Sequence, residues 1–230
     1  MNTIIVAIDG YSSCGKSTMA KRLAREVNYI YVDTGAMYRA MGLYAVRKGF
    51  LTPETLDQKA IVSALEHVEI QFRTMPEGVQ HTILNGEDVE SEIRTLEISQ
   101  AASRVSTIAE VRTYMVSLQQ AMGQKKGIVM DGRDIGTVVF PYAELKVFVT
   151  ADVAIRARRR FDELVSKGES ALYDQVLSNV KDRDYRDAHR EVSPLLKAKD
   201  ARVLDNSNLD KEQQYALLLN WFNATIQGLL

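Results

Sequence analysis

Gly10-Tyr11-Ser12-Ser13-Cys14-Gly15-Lys16-Ser17 follows a continuous apolar, β-branched run at residues 3–9 (TIIVAID) and precedes apolar Met19, Ala20, Leu23, Ala24 and Val27 at helical spacing. An apolar run without alternation is the pattern of a strand covered on both faces, as in a parallel sheet. The order strand, glycine loop, helix predicts an α/β fold with residues 3–9 as its central strand. The octapeptide fits G-x-x-x-x-G-K-[ST] in the setting that gives that pattern a mechanism. Its glycines let successive backbone N–H groups turn toward phosphate oxygens, and the helix N-terminus adds partial positive charge. Gly10, Tyr11, Ser12, Ser13, Cys14, Gly15, Lys16, Ser17 and Thr18 are therefore the expected cradle for the phosphates of ATP. Lys16 reaches the β and γ phosphates, and the Ser17 hydroxyl goes to the Mg²⁺ that bridges them.

Outward from this loop, further strands are expected at residues 29–32, 127–131, 145–150 and 202–205, which makes a five-stranded parallel sheet with flanking helices. Helices are expected at 16–27, 35–48, 108–122, 153–166, 171–187 and 210–229. Another is expected at 54–65, with Thr52 as N-cap and Pro53 at the first helical position. Residues 68–72 and 80–84 alternate instead, and Met75-Pro76-Glu77-Gly78 between them is a hairpin signal. A hairpin in a chain that otherwise alternates strand and helix points to an inserted subdomain at about 60–105. The helices at 153–166 and 171–187 are charge-rich and joined at 167–169.

Composition narrows the function. The 230 residues suffice for one sizeable core with insertions. Lys plus Arg number 29 against 30 Asp plus Glu, so no global positive field draws in a polyanion, and nucleic acid is not an expected partner. Cys14 is the only cysteine, which excludes an intramolecular disulfide and a multi-thiolate zinc site. His67, His81 and His189 lack ligand spacing. No run of about 18 apolar residues occurs, and the first apolar segment is too short for a signal-peptide core, so no membrane association and a cytoplasmic location are expected.

A phosphate loop does not name the acceptor. The chain has no N-K-x-D guanine-reading sequence and no acidic strand end of the h-h-h-h-D-E type. Arginines crowd its middle and C-terminal third instead, at 133, 156, 158, 159, 160, 183, 186 and 190. Those at 183, 186 and 190 have the spacing of one helix stripe, and guanidinium forks suit the clustered charge of phosphoryl transfer. A kinase for a small phosphorylated acceptor fits this crowding better than a nucleotide-dependent switch, which needs fewer acceptor-side cations.

Four segments then carry a specific likeness. They are Asp33-Thr34-Gly35-Ala36-Met37-Tyr38-Arg39, Gly86-Glu87-Asp88-Val89 with Ile93-Arg94, the string from Asp131-Gly132-Arg133-Asp134 to Pro141, and Arg183-Asp184-Tyr185-Arg186-Asp187. On these residues the chain resembles the bacterial-type cytidylate kinases over nearly its whole length. The resemblance implies a core at about 1–60, 106–153 and 173–230, a monophosphate-binding insertion at about 60–105 and a lid at about 154–172. It implies MgATP and CMP or dCMP as partners, and a monomer. Carried over by position, Thr34, Arg39, Ser103, Arg112, Arg133, Asp134, Arg183, Asp187 and Arg190 would bind the acceptor, with Ser103, Arg112 and Asp134 at its base. Lys16, Arg133, Arg156 and Arg159 would act in catalysis, the last two closing on the ATP phosphates. The loop departs from the family at Tyr11, Ser13 and Cys14. A thiol at position 14 narrows the cradle or makes it thiol-sensitive, and both readings stay open at this stage.

Overall fold

The computed structural model describes residues 3–76, 79–166, 168 and 170–229. They fall into two compact units, one formed by the chain up to Val32 with the chain from Met122 onward, the other by Asp33–Ala121.

In the first unit, β1 (Ile5–Gly10), β2 (Ile30–Asp33), β6 (Ile128–Gly132), β7 (Leu145–Thr150) and β8 (Arg202–Asp205) form one sheet in the order β2-β6-β1-β7-β8. The central strand β1 pairs in parallel with β6 and β7, and β7 pairs in parallel with β8. Burial of the middle strands on both faces explains why their sequences are unbroken apolar runs. Val6, Ile8, Val129, Val147, Val149 and Leu204 share a core with Met19, Ala20 and Leu23 of α1 (Lys16–Glu26) and with Tyr215, Leu218 and Phe222 of α8 (Lys211–Ile226). Asp210 starts α8 with a capping box, its carboxylate accepting from Gln213 N while the Gln213 side chain takes Asp210 N. Between β7 and β8 run α6 (Val153–Ser166) and α7 (Tyr173–His189). Of the joint expected between them, Lys167 and Glu169 lie outside the described residues.

The second unit holds α2 (Thr34–Arg47), α3 (Gln58–Ser63), β3 (Ile70–Thr74), β4 (Gln80–Leu84), β5 (Glu87–Asp88), α4 (Leu96–Val105) and most of α5 (Ala109–Met122). β3 and β4 pair antiparallel as the alternation implied, although Glu77 and Gly78 of the hairpin signal lie outside the described residues. Asn85-Gly86, both at positive φ, turns the chain into the third strand, β5, which had not been expected. α4 was not expected either, yet Ile98, Ala101, Ala102 and Val105 at helical spacing, with Thr95 accepting from Ile98 N, account for it.

One expected helix starts late. Residues 54–57 are not helical, and α3 begins after Asp57, whose side chain accepts from Ala60 N at 2.9 Å. Thr52 Oγ1 accepts from Thr55 N and closes a turn, Leu51 bridges to Leu56, and the Arg104 guanidinium takes the carbonyls of Thr52, Pro53 and Thr55. Carbonyls that a helix from residue 54 would use are committed to a distant side chain.

Gly10 ends β1 at φ 144°, and a β-carbon there would lie 2.0 Å from the backbone oxygen of Val149 on the neighbouring strand. No side chain can move to relieve that clash. Gly10→Ala is expected to destabilise the protein by more than about 3 kcal/mol, read as a lowered urea midpoint at unchanged slope. A midpoint equal to that of the parent would show that β1 and β7 can separate at this point.

Candidate functional site

The phosphate loop occupies the C-terminal end of β1 and opens directly into α1. Gly15, the N-cap of α1, provides no side-chain cap, so the first N–H groups of the helix are left for another acceptor. Lys16 is buried and folds back over its own loop, donating to Tyr11 O at 2.6 Å. Burial, then the positive charge of Arg133, pushes its pKa down to about 8. Ser17 Oγ donates to Asp131 Oδ2 at 2.8 Å, and the other oxygen of Asp131 accepts from Tyr31 OH at 2.6 Å. Thr18 is exposed on the first turn. The Cys14 thiol lies in the apolar core, fully buried, and burial raises its pKa. The thiol is thus shielded from solvent, within the field of Lys16, Arg156 and Arg133.

The h-h-h-h-D-E pattern does not capture Asp131, which stands as a single carboxylate followed by Gly132. Its signal is Ile128-Val129-Met130 before a single carboxylate, on the strand that the fold places beside β1. The Ser17 hydroxyl and the Asp131 carboxylate are hard oxygen donors of the kind Mg²⁺ takes. Among the described residues no group of three His, Cys, Asp or Glu forms a metal cage. A two-donor set suits an ion that keeps its waters and fills its shell with substrate phosphates.

The arginines of this unit do not form one stripe. Arg133 Nε donates to Asp187 Oδ2 at 2.7 Å, and Arg190 lies 3.7 Å from Asp187 Oδ1 and 4.0 Å from Asp134 Oδ1. Burial pushes the Asp187 carboxyl up, but Arg133 and Arg190 outweigh it and hold it below the usual range. Arg183 adds its field there, whereas Arg186 turns back to the Asp182 carbonyl of its own helix. Arg156 is buried, 2.7 Å from Asp184 Oδ2 and over the Tyr11 ring, with NH1 3.4 Å from Ser12 O. Arg159 donates to both the side-chain and main-chain oxygens of Asn206. The structure thus gathers Arg133, Asp134, Asp187 and Arg190 in one cluster and ties Arg156 to the phosphate loop.

Asp9 was also missed. Its two carboxylate oxygens accept from Ile135 N at 2.8 Å and Gly136 N at 2.7 Å, at the start of the π-helical turn Ile135–Val139. Burial pushes its pKa up to about 6, against the two N–H donors. Arg133 and Asp134 are held in place by the end of β1 through this contact.

In the second unit Asp33 caps α2, accepting from Ala36 N, Arg39 and Arg94. Burial raises its carboxyl, and the two guanidiniums outweigh that and hold it low. Arg94 continues to Glu90, which accepts from the backbone and hydroxyl of Thr82. Thr34 is buried at the start of α2. Arg112, buried on α5, donates to Ser106 O at 3.3 Å and lies 5.5 Å from the Tyr38 ring. Ser103 is half-buried on α4.

Comparison with known proteins follows the same direction. A family model described as cytidylate kinase matches residues 6–224. The cytidylate kinase of Bacteroides thetaiotaomicron is 56% identical over 228 residues, covering 99% of this chain and 100% of that protein. That of Flavobacterium johnsoniae is 51% identical over 228 residues, covering 99% of each. Among solved structures, an uncharacterized protein from Eubacterium ventriosum matches 97% of this chain and 99% of its own with a TM-score of 0.53 at 12% identity, a likeness of fold alone.

Burial and Arg133 hold the Lys16 pKa down, and a triphosphate bound against the ammonium would raise it again. MgATP binding should then take up roughly 0.7 proton at pH 8.5 against roughly 0.1 at pH 7. Calorimetry in buffers of different ionisation enthalpy measures this, and Lys16→Met should abolish the pH 8.5 uptake. Uptake that survives the substitution would place the titrating group elsewhere.

Proposed function

We propose, because the chain belongs to the cytidylate kinase family, that it transfers the γ-phosphate of ATP to CMP or dCMP, giving ADP with CDP or dCDP. The observation that carries this reading is the uncapped start of α1 beside a buried Lys16 and the Ser17–Asp131 pair, in a chain that matches the family from residue 6 to 224.

Ser17 and Asp131 would hold Mg²⁺, which when bound neutralises charge on the β and γ oxygens. Lys16 leaves the Tyr11 carbonyl for the phosphates. Arg133 and Arg190 take the acceptor phosphate, and Asp187 between them presets the two guanidiniums so that little side-chain freedom is lost on binding. Arg183 and Asp187 serve the ribose and phosphate of the acceptor, and Thr34 and Arg39 bind it from the start of α2. Arg156 and Arg159 add positive charge at the transferring group, within a lid at about 154–172. The hairpin region at about 60–105 belongs to the acceptor-binding insertion. Transfer through a loose transition state requires placement and charge rather than a strong general base, so Asp134 is assigned to the base of CMP and not to proton abstraction.

Cytosine offers an amino donor at position 4 and an acceptor at N3, and uracil reverses both. Asp134, with the hydroxyl of Ser103, accepts from the cytosine amino group, and Arg112 donates to N3 or O2. A mismatched base leaves buried groups unpaired at about 1–3 kcal/mol each. In an assay of ADP release across CMP, dCMP, UMP, AMP, GMP and shikimate, CMP and dCMP should lead, with kcat/KM for CMP at least about tenfold above UMP. Asp134→Asn should lower CMP efficiency and narrow the CMP-to-UMP ratio, since an amide can donate to the uracil oxygen. A ratio that does not move would assign Asp134 to structure alone, and a different leading acceptor would overturn the substrate.

A further inference from the structure

Asn206 follows β8 and has no solvent exposure. Its side chain meets three other parts of the fold. Oδ1 accepts from Arg159 NH1 of α6 at 2.9 Å, and Nδ2 donates to Cys14 O of the phosphate loop and to Gln214 Oε1 of α8, each at 2.7 Å. Its main-chain oxygen accepts the second Arg159 nitrogen at 2.8 Å, and its N–H donates to Thr150 O at 2.9 Å. The chemistry of the partners fixes which way the amide faces. A guanidinium only donates and a backbone carbonyl only accepts, so the oxygen must face Arg159 and the nitrogen Cys14.

Anchoring the Cys14 carbonyl has a consequence for the loop. In a trans peptide the C=O and the following N–H point in opposite directions. Holding Cys14 O toward Asn206 directs Gly15 N–H to the opposite side of that peptide plane, away from Asn206. The same rule applies where Lys16 holds Tyr11 O and where Arg156 NH1 approaches Ser12 O. Asn206 differs in that its other end seats an arginine expected at the ATP phosphates. No other residue type of this size offers both an acceptor to Arg159 and two donors, since aspartate lacks the donors and alanine lacks everything.

We propose that Asn206 is a positioning residue for phosphate transfer, setting the Cys14–Gly15 peptide plane and the place of the Arg159 guanidinium with one amide. The inference rests on the reading of the loop as the ATP site. Steady-state kinetics on the full chain, varying MgATP and CMP separately, tests it with Asn206→Ala, Asn206→Asp, Arg159→Ala and the Arg159→Ala/Asn206→Ala and Arg159→Ala/Asn206→Asp double variants. Asn206→Ala is expected to lower kcat/KM for ATP at least tenfold while KM for CMP stays within twofold. The alanine double variant should lose less than the product of the two single losses, because Asn206→Ala already frees the Arg159 guanidinium. Asn206→Asp keeps the acceptor for Arg159 and loses the donor to Cys14, so it should lose ATP efficiency while Arg159→Ala still costs it a further factor. It also serves if the alanine variant does not fold. A folded Asn206 variant, checked by circular dichroism and thermal melting, with parental kcat/KM for ATP would overturn the proposal. Losses that multiply in the alanine double variant would overturn the claim that Asn206 places Arg159. Parental protein without ATP-dependent phosphorylation of CMP would instead sink the reading of the loop.

Discussion

The C-terminal end of β1 is crowded on every side, and much of the first unit is arranged around that crowding. Asp9 and Gly10 sit between β6 and β7, where one position must give up its side chain to the backbone of Val149 and the other must place a carboxylate against two N–H groups. A carboxylate in a buried place is costly unless its oxygens are satisfied, and removing the donors or the acceptor would leave an unpaired group. Asp9 is satisfied by Ile135 N and Gly136 N, so the segment bearing Arg133 and Asp134 is bound to the strand that also launches the phosphate loop. The loop and the Arg133–Asp134 segment are thereby both fixed by adjacent residues of one strand end.

Buried acids play the complementary part for the arginines. Asp187 takes Arg133 and Arg190, Asp184 takes Arg156, and in the second unit Asp33 takes Arg39 and Arg94. Each acid holds a guanidinium in a defined place, at a desolvation cost that grows with the burial of the pair. This pairing also explains how a chain with formal net charge −1 can cluster arginines: the positive charge is local and balanced by neighbours. Deleting one partner of such a pair leaves the other charge partly buried and uncompensated, so loss of an arginine here weakens the fold.

Sequence by itself determined the class of fold and the location of the phosphate loop, since both rest on local patterns: unbroken apolar strands, helical spacing after Gly15, alternation within residues 68–72 and 80–84. Those features are read within about ten residues of chain. The start of α3 was misread because Arg104, some 50 residues away, takes the carbonyls of Thr52 and Pro53. The direction of the Cys14 side chain was equally out of reach, because it depends on which face of the loop the core occupies. Ser17 meets Asp131 across 114 positions and Cys14 meets Asn206 across 192, and neither pairing leaves a trace in local periodicity. Only the tertiary structure decided those, because parallel strands bring their ends together through long crossovers and a hydrogen bond is specified by where two chain segments finish, not by what surrounds either in sequence.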